Sequence, residues 1–124
     1  KHIKKWNKER NEIAKLYNFY LKENQFIITP YNHTKSKHVY HLYVIQVENR
    51  EALQLFLNDN GIGTSIHYPI PPHLQKAYSF LGFKKGDFPI AEKLASVSLS
   101  LPIYPGLSVE KIKYTCQKIN KFYL

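Results

Sequence analysis

The stretch GIGTSIHYPIPPHLQ, residues 61–75, carries a stop, a strand and a second stop within one short window. Gly61 follows a helical pattern at the position where a left-handed residue closes a helix. Ile62 to Tyr68 then reads as an extended segment, and Pro69, Pro71 and Pro72 end it by removing backbone donors and fixing φ. Upstream, Asn49 stands at an N-cap position, and Arg50 to Asn60 follows with Leu53, Phe56 and Leu57 on one face. Before it, VYHLYVIQV (39–47) is rich in β-branched and aromatic residues without Gly or Pro, and predicts a strand buried on both faces or nearly so. His41 falls inside this run and is expected as a hydrogen-bonded core residue.

Outward from this centre, TPYNHTKSK (29–37) is polar and contains Pro30, so it reads as a loop. Residues 3–21 predict an amphipathic helix with Ile3, Trp6, Ile13, Leu16, Tyr17 and Tyr20 on one stripe. Downstream, His73 to Leu81 predicts a short helix stopped by Gly82. Asp87 is expected to cap a helix whose first turn accepts Pro89 and which runs to about Ser96. Val97 to Leu101 predicts a third short strand, cut by Pro102 and Pro105. Ser108 caps a last helix carrying Val109, Ile112, Cys116, Ile119 and Phe122 at helical spacing. Short strands separated by helices imply an α+β fold: a small, mainly antiparallel sheet with helices packed on it.

Composition sets the bounds. The 124 residues are 44% hydrophobic and 22% charged, which suits one globular domain and not a disordered chain. A chain of this size buries about two-thirds of its unfolded surface, enough for a core without disulfide staples. No apolar run approaches the roughly 18 residues of a membrane span, and no signal-peptide pattern opens the sequence, so a cytoplasmic location is expected. The sequence contains no methionine and starts at Lys1, and is expected to be a piece of a longer protein. Eighteen Lys+Arg against nine Asp+Glu give a net charge of +9. Such a balance favours anionic partners, and a non-catalytic basic module binding nucleic acid is the alternative function to weigh. The basic residues alternate with apolar ones at helical spacing, as a solvated face does, and no nucleic-acid recognition motif accompanies the ten tyrosines.

Several candidate chemistries fall away on context. Gly61-Ile62-Gly63-Thr64 runs from helix into strand, the reverse of a phosphate-cradling loop. Ser108-Val109-Glu110-Lys111 has the Ser-x-x-Lys spacing of acyl-serine enzymes, but its serine is a helix cap and partner motifs are missing. The histidines His33, His38, His41, His67 and His73 lack zinc-ligand spacing, and no metal is expected. Cys116 lies on an apolar face and reads as a small hydrophobe. There remains the turn from Ile66 to Gln75, in which two imidazoles and a phenol ride on a backbone stiffened by three prolines. His67, Tyr68 and His73 are suitable donors to phosphate or sugar oxygens. The residues alone leave open a preorganised ligand site or an ordinary rigid turn with surface histidines.

A family resemblance enters through this same turn. Gly61-Ile62-Gly63-Thr64 leading into Ile66-His67-Tyr68-Pro69-Ile70-Pro71-Pro72-His73-Leu74-Gln75 resembles the C-terminal part of the DegT/DnrJ/StrS family of pyridoxal-phosphate-dependent sugar-nucleotide aminotransferases. Trp6-Asn7 with Arg10, Ala14 and Tyr17 is similar to that family's connecting helix. Asp87-Phe88-Pro89-Ile90-Ala91-Glu92 is similar to its FPxAE block, and Ser98-Leu99-Ser100-Leu101-Pro102-Ile103-Tyr104-Pro105-Gly106 to its LSLPxxPxL block. The four blocks occur in order over nearly the whole chain. Pro72 departs from the pattern, since many relatives carry Leu or another apolar residue there.

The resemblance implies the small C-terminal domain of a fold-type I pyridoxal-phosphate transferase, with residues 1–24 as the connecting helix and 25–124 as the small domain. The large N-terminal domain, with the Schiff-base lysine and the pyridoxal phosphate, is missing, so no catalytic or cofactor-binding residue is expected here and this stretch is silent by itself. The implied parent reaction moves an amino group, from glutamate, to a keto sugar on a nucleotide carrier, in amino-sugar or surface-polysaccharide biosynthesis, by a homodimer with active sites at the subunit interface. His67 and Tyr68 foremost, and His73 after them, are implied as substrate contacts. Arg10, Asp87, Glu92 and Ser100 are implied as structural, through ion pairing, helix capping and strand pairing. An aromatic patch of Trp6, Tyr17 and Tyr20 is expected to face the large domain and to cause self-association of the isolated piece.

Overall fold

The computed structural model describes residues 1–124. Its helices are α1 (Ile3–Leu21), α2 (Arg50–Asp59), α3 (Pro89–Val97) and α4 (Val109–Phe122), and its strands are β1 (Tyr43–Gln46) and β2 (Ser98–Leu101). The strands pair antiparallel, with Tyr43 opposite Leu101 and Gln46 opposite Ser98. The α+β architecture therefore stands: a small antiparallel sheet covered by helices. No helix is long and apolar enough to cross a membrane.

The core lies between one face of the sheet and the helices. Seventeen buried apolar residues form one cluster, drawn from α1 (Ile13, Ala14, Tyr17, Leu21), α2 (Leu53, Leu57), α4 (Ile112, Cys116, Ile119), both strands and their flanks. Tyr17 and Tyr43 stack at 4.8 Å in its centre. Each phenol finds a polar partner, Tyr17 donating to the Pro102 carbonyl at 2.9 Å and Tyr43 to Asn18 Oδ1 at 2.5 Å, as buried hydroxyls require. Burial pushes both phenol pKa values up. Cys116 is buried as a hydrophobe, and burial pushes its thiol up to about 12.

Two asparagines clasp the ends of the long helices. Asn24 Nδ2 donates to Asn120 Oδ1 at 2.9 Å, and Asn120 Nδ2 donates to the Tyr20 carbonyl at 3.2 Å. Gly61 closes α2 as expected, at φ +73°, with the Ile62 amide reaching back to the Leu57 carbonyl. Ser108 caps α4 by accepting the Lys111 amide.

The strands are shorter and fewer than the residue pattern implies. The run from Val39 to Val47 contributes only Tyr43–Gln46, because Tyr40 takes a left-handed backbone at φ +48° and interrupts the extended segment. His41 consequently lies outside the strand and is exposed, not in the core. The expected strand from Ile62 to Tyr68 reduces to one antiparallel bridge, Ser65 with Ser100. Its neighbours are blocked on both sides. Opposite Gly63 the ladder would need an N–H from Pro102, which has none, and opposite His67 the Ser98 amide is already given to the Leu94 carbonyl at the end of α3. A similar single bridge joins Ile28 to Gln46, next to Pro30. Val97 belongs to α3 and not to the strand.

Other expectations fail on side-chain environment. Ile3 and Trp6 are 57% and 43% exposed, outside the buried stripe of α1. Tyr17 is fully buried and Tyr20 half-buried, so they do not form an exposed patch with Trp6. Arg10 donates to Asn7 Oδ1 and makes no ion pair. Asn49 makes no side-chain capping bond. The residues from Pro72 to Leu81 form two 3₁₀ turns, Pro72–Leu74 and Lys76–Leu81, ended by Gly82 at φ +74°. Asp87 accepts the Lys84 amide instead of capping α3, and the carboxylate that binds amides at that helix start is Glu92.

Candidate ligand site at the His67–Tyr68 turn

Strand alternation gives the sheet a second face. Tyr43, Ile45, Leu99 and Leu101 point into the core, so Val44, Gln46, Ser98 and Ser100 line the opposite side. Ser98 and Ser100 are nevertheless 8% and 5% exposed. The chain leaving α2 crosses this side: Ser65 exchanges both backbone hydrogen bonds with Ser100, at 3.2 and 2.8 Å. Two residues further on, His67 reaches diagonally back over the same residue, its Nδ1 lying 2.9 Å from Ser100 Oγ. Nε2 has no protein partner.

Tyr68 follows through a cis peptide and stands edge-on to His67, ring centroids 5.5 Å apart. It is 71% exposed. The turn thus presents a half-buried imidazole with one nitrogen anchored and one free, beside a solvent-facing phenol.

His73 sits in a different environment. Its Nε2 lies 3.1 Å from Glu92 Oε1, its ring packs on Phe88 at 4.8 Å, and only 8% of its side chain is exposed. Glu92 Oε1 also accepts the Gly86 amide at 2.8 Å and the Phe88 amide at 3.3 Å. These contacts, the Gly86 amide first, hold the Glu92 carboxyl below its ordinary range. Beside this clamp opens an apolar groove of about 380 Å³, walled by Tyr78, Leu81, Phe83 and Phe88.

Among the sequence-derived candidates, the fold brings His67 and Tyr68 together and gives His73 to Glu92. Ser100, read from the sequence only for strand pairing, contributes its hydroxyl to the site as well. The available signal was register: a serine in a strand directly opposite the residue two before the histidine. Arg50 was overlooked too. Its buried guanidinium donates to the Ala95 carbonyl and to Glu51 Oε1, tying the start of α2 to α3.

Every lysine except Lys118 is exposed, and Lys118 lies over the Tyr114 ring at 5.2 Å. No group of three or more His, Cys, Asp or Glu is gathered as a metal site.

The profile of the DegT/DnrJ/EryC1/StrS aminotransferase family matches residues 1–120. The chain belongs to this family. Among its DegT/DnrJ/EryC1/StrS relatives, a "Pleiotropic regulatory protein" of Geobacillus stearothermophilus is 40% identical over 98% of this chain and 33% of its own length. The dTDP-3-amino-3,6-dideoxy-alpha-D-galactopyranose transaminase of Aneurinibacillus thermoaerophilus is 43% identical over 94% of the chain and 31% of its own length. The solved structure of S. venezuelae DesV, in complex with a ketimine intermediate, superposes with a TM-score of 0.94 at 32% identity, covering 98% of this chain and 33% of that one. The chain therefore spans about a third of the length of the relatives it matches.

Proposed function

We propose that the chain is the small C-terminal domain of a pyridoxal-phosphate-dependent aminotransferase acting on a keto sugar attached to a nucleotide. Residues 1–24 form the connecting helix and 25–124 the domain itself, while the cofactor and its lysine belong to polypeptide beyond these residues. The cofactor supplies the amino-transfer chemistry; glutamate is the donor, and the product feeds amino-sugar or surface-polysaccharide synthesis. The observation that carries this reading is the family match over residues 1–120, and the turn at His67 supports it with polar donors.

In this reading His67 and Tyr68 contact the substrate through a phosphate oxygen or sugar hydroxyl. His67 has an unpartnered Nε2 and Tyr68 an open hydroxyl, both on a proline-stiffened turn that needs little reordering to bind. His73 acts one step removed, its bond to Glu92 holding the segment after the turn in place. The exposed side chains Tyr68, Ile70, Phe80 and Ile90 are 71%, 52%, 80% and 78% accessible. So much apolar surface on one segment supports burial against the rest of the enzyme or the second subunit of a homodimer. The small domain's own work is then to bind, orient and shield the nucleotide sugar.

The test uses the full-length enzyme. His67→Ala lowers kcat/KM about tenfold to a hundredfold where its partner is a phosphate oxygen and about threefold to tenfold where it is a sugar hydroxyl, while Tyr68→Phe lowers it about fivefold. Cofactor absorbance stays intact in both. Unchanged kinetics in both variants would overturn the assignment.

A further inference from the structure

We propose that Ser100 is a positioning residue: its hydroxyl donates to His67 Nδ1 and holds the neutral imidazole in the Nε2–H form, a fixed donor toward a substrate oxygen and not a base. The inference rests on the reading of His67 as a substrate contact, and adds what that contact can and cannot do.

The argument is an accounting of one hydrogen atom. Ser100 is 5% exposed, and its backbone N–H and C=O are both taken by Ser65. Its Oγ has one partner, His67 Nδ1 at 2.9 Å. Two arrangements fit that distance. If Nδ1 carried the ring proton and donated it to Oγ, the serine's own hydrogen would be a buried donor with no acceptor. An unmet buried donor costs more than an ordinary hydrogen bond returns. If the serine donates instead, Oγ spends its hydrogen on Nδ1, and the ring proton sits on Nε2, the nitrogen without a protein partner. The cost of the orphaned hydroxyl favours this second form by about fivefold or more.

The chemical consequence is directional. An Nε2–H group recognises lone pairs, as on a phosphate or hydroxyl oxygen, and has no free lone pair with which to remove a proton. Proton abstraction during amino transfer thus falls to other groups, and His67 contributes binding and orientation.

The experiment is nitrogen-15 NMR of histidine-labelled full-length protein, with the His67 signals assigned by their loss in His67→Gln. The expected wild-type spectrum shows a protonated Nε2 and a bare, hydrogen-bonded Nδ1. Ser100→Ala should spread His67 over both tautomers, and Ser100→Thr, which keeps the hydroxyl, should restore the wild-type pattern. Binding is read in the same proteins with dTDP and UDP, each alone and as its glucose conjugate. Ser100→Ala should weaken it about threefold to tenfold, and Ser100→Thr should return it. Equal weakening for free and conjugated diphosphates assigns the contact to phosphate; weakening confined to the conjugates assigns it to the sugar. A proton on Nδ1 in the wild type overturns the proposal, as does a tautomer unmoved by Ser100→Ala. Should Ser100→Ala fail to fold, the wild-type spectrum decides the matter alone. A His67→Ala protein that binds all four probes normally, with the tautomer as stated, overturns the substrate contact while leaving the Ser100–His67 pairing intact.

Discussion

The helices and sheet that make the core, and the segment from His67 to Ile90 that carries the turn and the groove, obey opposite rules. The first gathers seventeen buried apolar side chains into one cluster. The second has a single buried residue, Pro71, and leaves Phe80 and Ile90 mostly in solvent. Its order comes from prolines, two 3₁₀ turns and a carboxylate with three partners. Hydrophobic burial orders the first, whereas the second holds its shape with most of its side chains exposed.

The strongest way to break this contrast is to cut into the core. Leu57→Ala removes a fully buried side chain and should cost about 2–5 kcal/mol, read as a fall in the urea midpoint. A loss below about 1 kcal/mol would mean that the cluster is loosely packed.

The carboxylate clamp is probed by pH. Because the Gly86 amide, His73 and the Phe88 amide favour ionised Glu92, its folded pKa lies below the ordinary 4.5. Its contribution is therefore present above that ordinary value and lost as pH falls through the lowered one. Protection of the Gly86 and Phe88 amides, taken relative to their intrinsic exchange rates, should fall in acid, and Glu92→Gln should show the weaker protection already at neutral pH. Equal protection in both proteins would remove Glu92 from the account.

Cys116 sharpens the core side. With its thiol pushed up to about 12, it should resist iodoacetamide at pH 8 until the chain is unfolded. The buried thiol favours the folded state fully below its ordinary value of 9.0, and that contribution declines as pH rises beyond it. The smallest expected effect lies in the outlying segment. Phe80→Ala should change the stability of this chain by less than about 0.5 kcal/mol, since the side chain is 80% exposed. The same substitution in the full-length enzyme should weaken assembly, and no change there would argue against a covering surface at this position.

What could be read from residues alone was whatever depends on local periodicity or punctuation. Helix α1 shows its apolar spacing from Ile13 to Leu21, α2 ends at Gly61, and α4 begins at Ser108. Strand length was not legible, because it depends on what stands across the ladder: Pro102 opposite Gly63, a spent Ser98 amide opposite His67. Tyr40 looked like a strand residue by type, and only the surrounding packing turns it left-handed. The site was half visible. His67 and Tyr68 stand out by chemistry and by family resemblance, but Ser100 joins them through register, which no single stretch of sequence displays.

The asparagine clasp has a consequence in time. It joins residues 24 and 120, much as the sheet joins 43–46 to 98–101 and α1 rests on α4. These contacts link the first half of the sequence to residues 98–120. Such long-range closure slows folding, and synthesis proceeds at only about 5–20 residues per second. A nascent chain halted before Val109 lacks Ile112, Cys116 and Ile119, and holds the apolar faces of α1 and the sheet uncovered. Until Val109–Phe122 has been made, those faces are aggregation-prone surface, and α4 is the element that removes it.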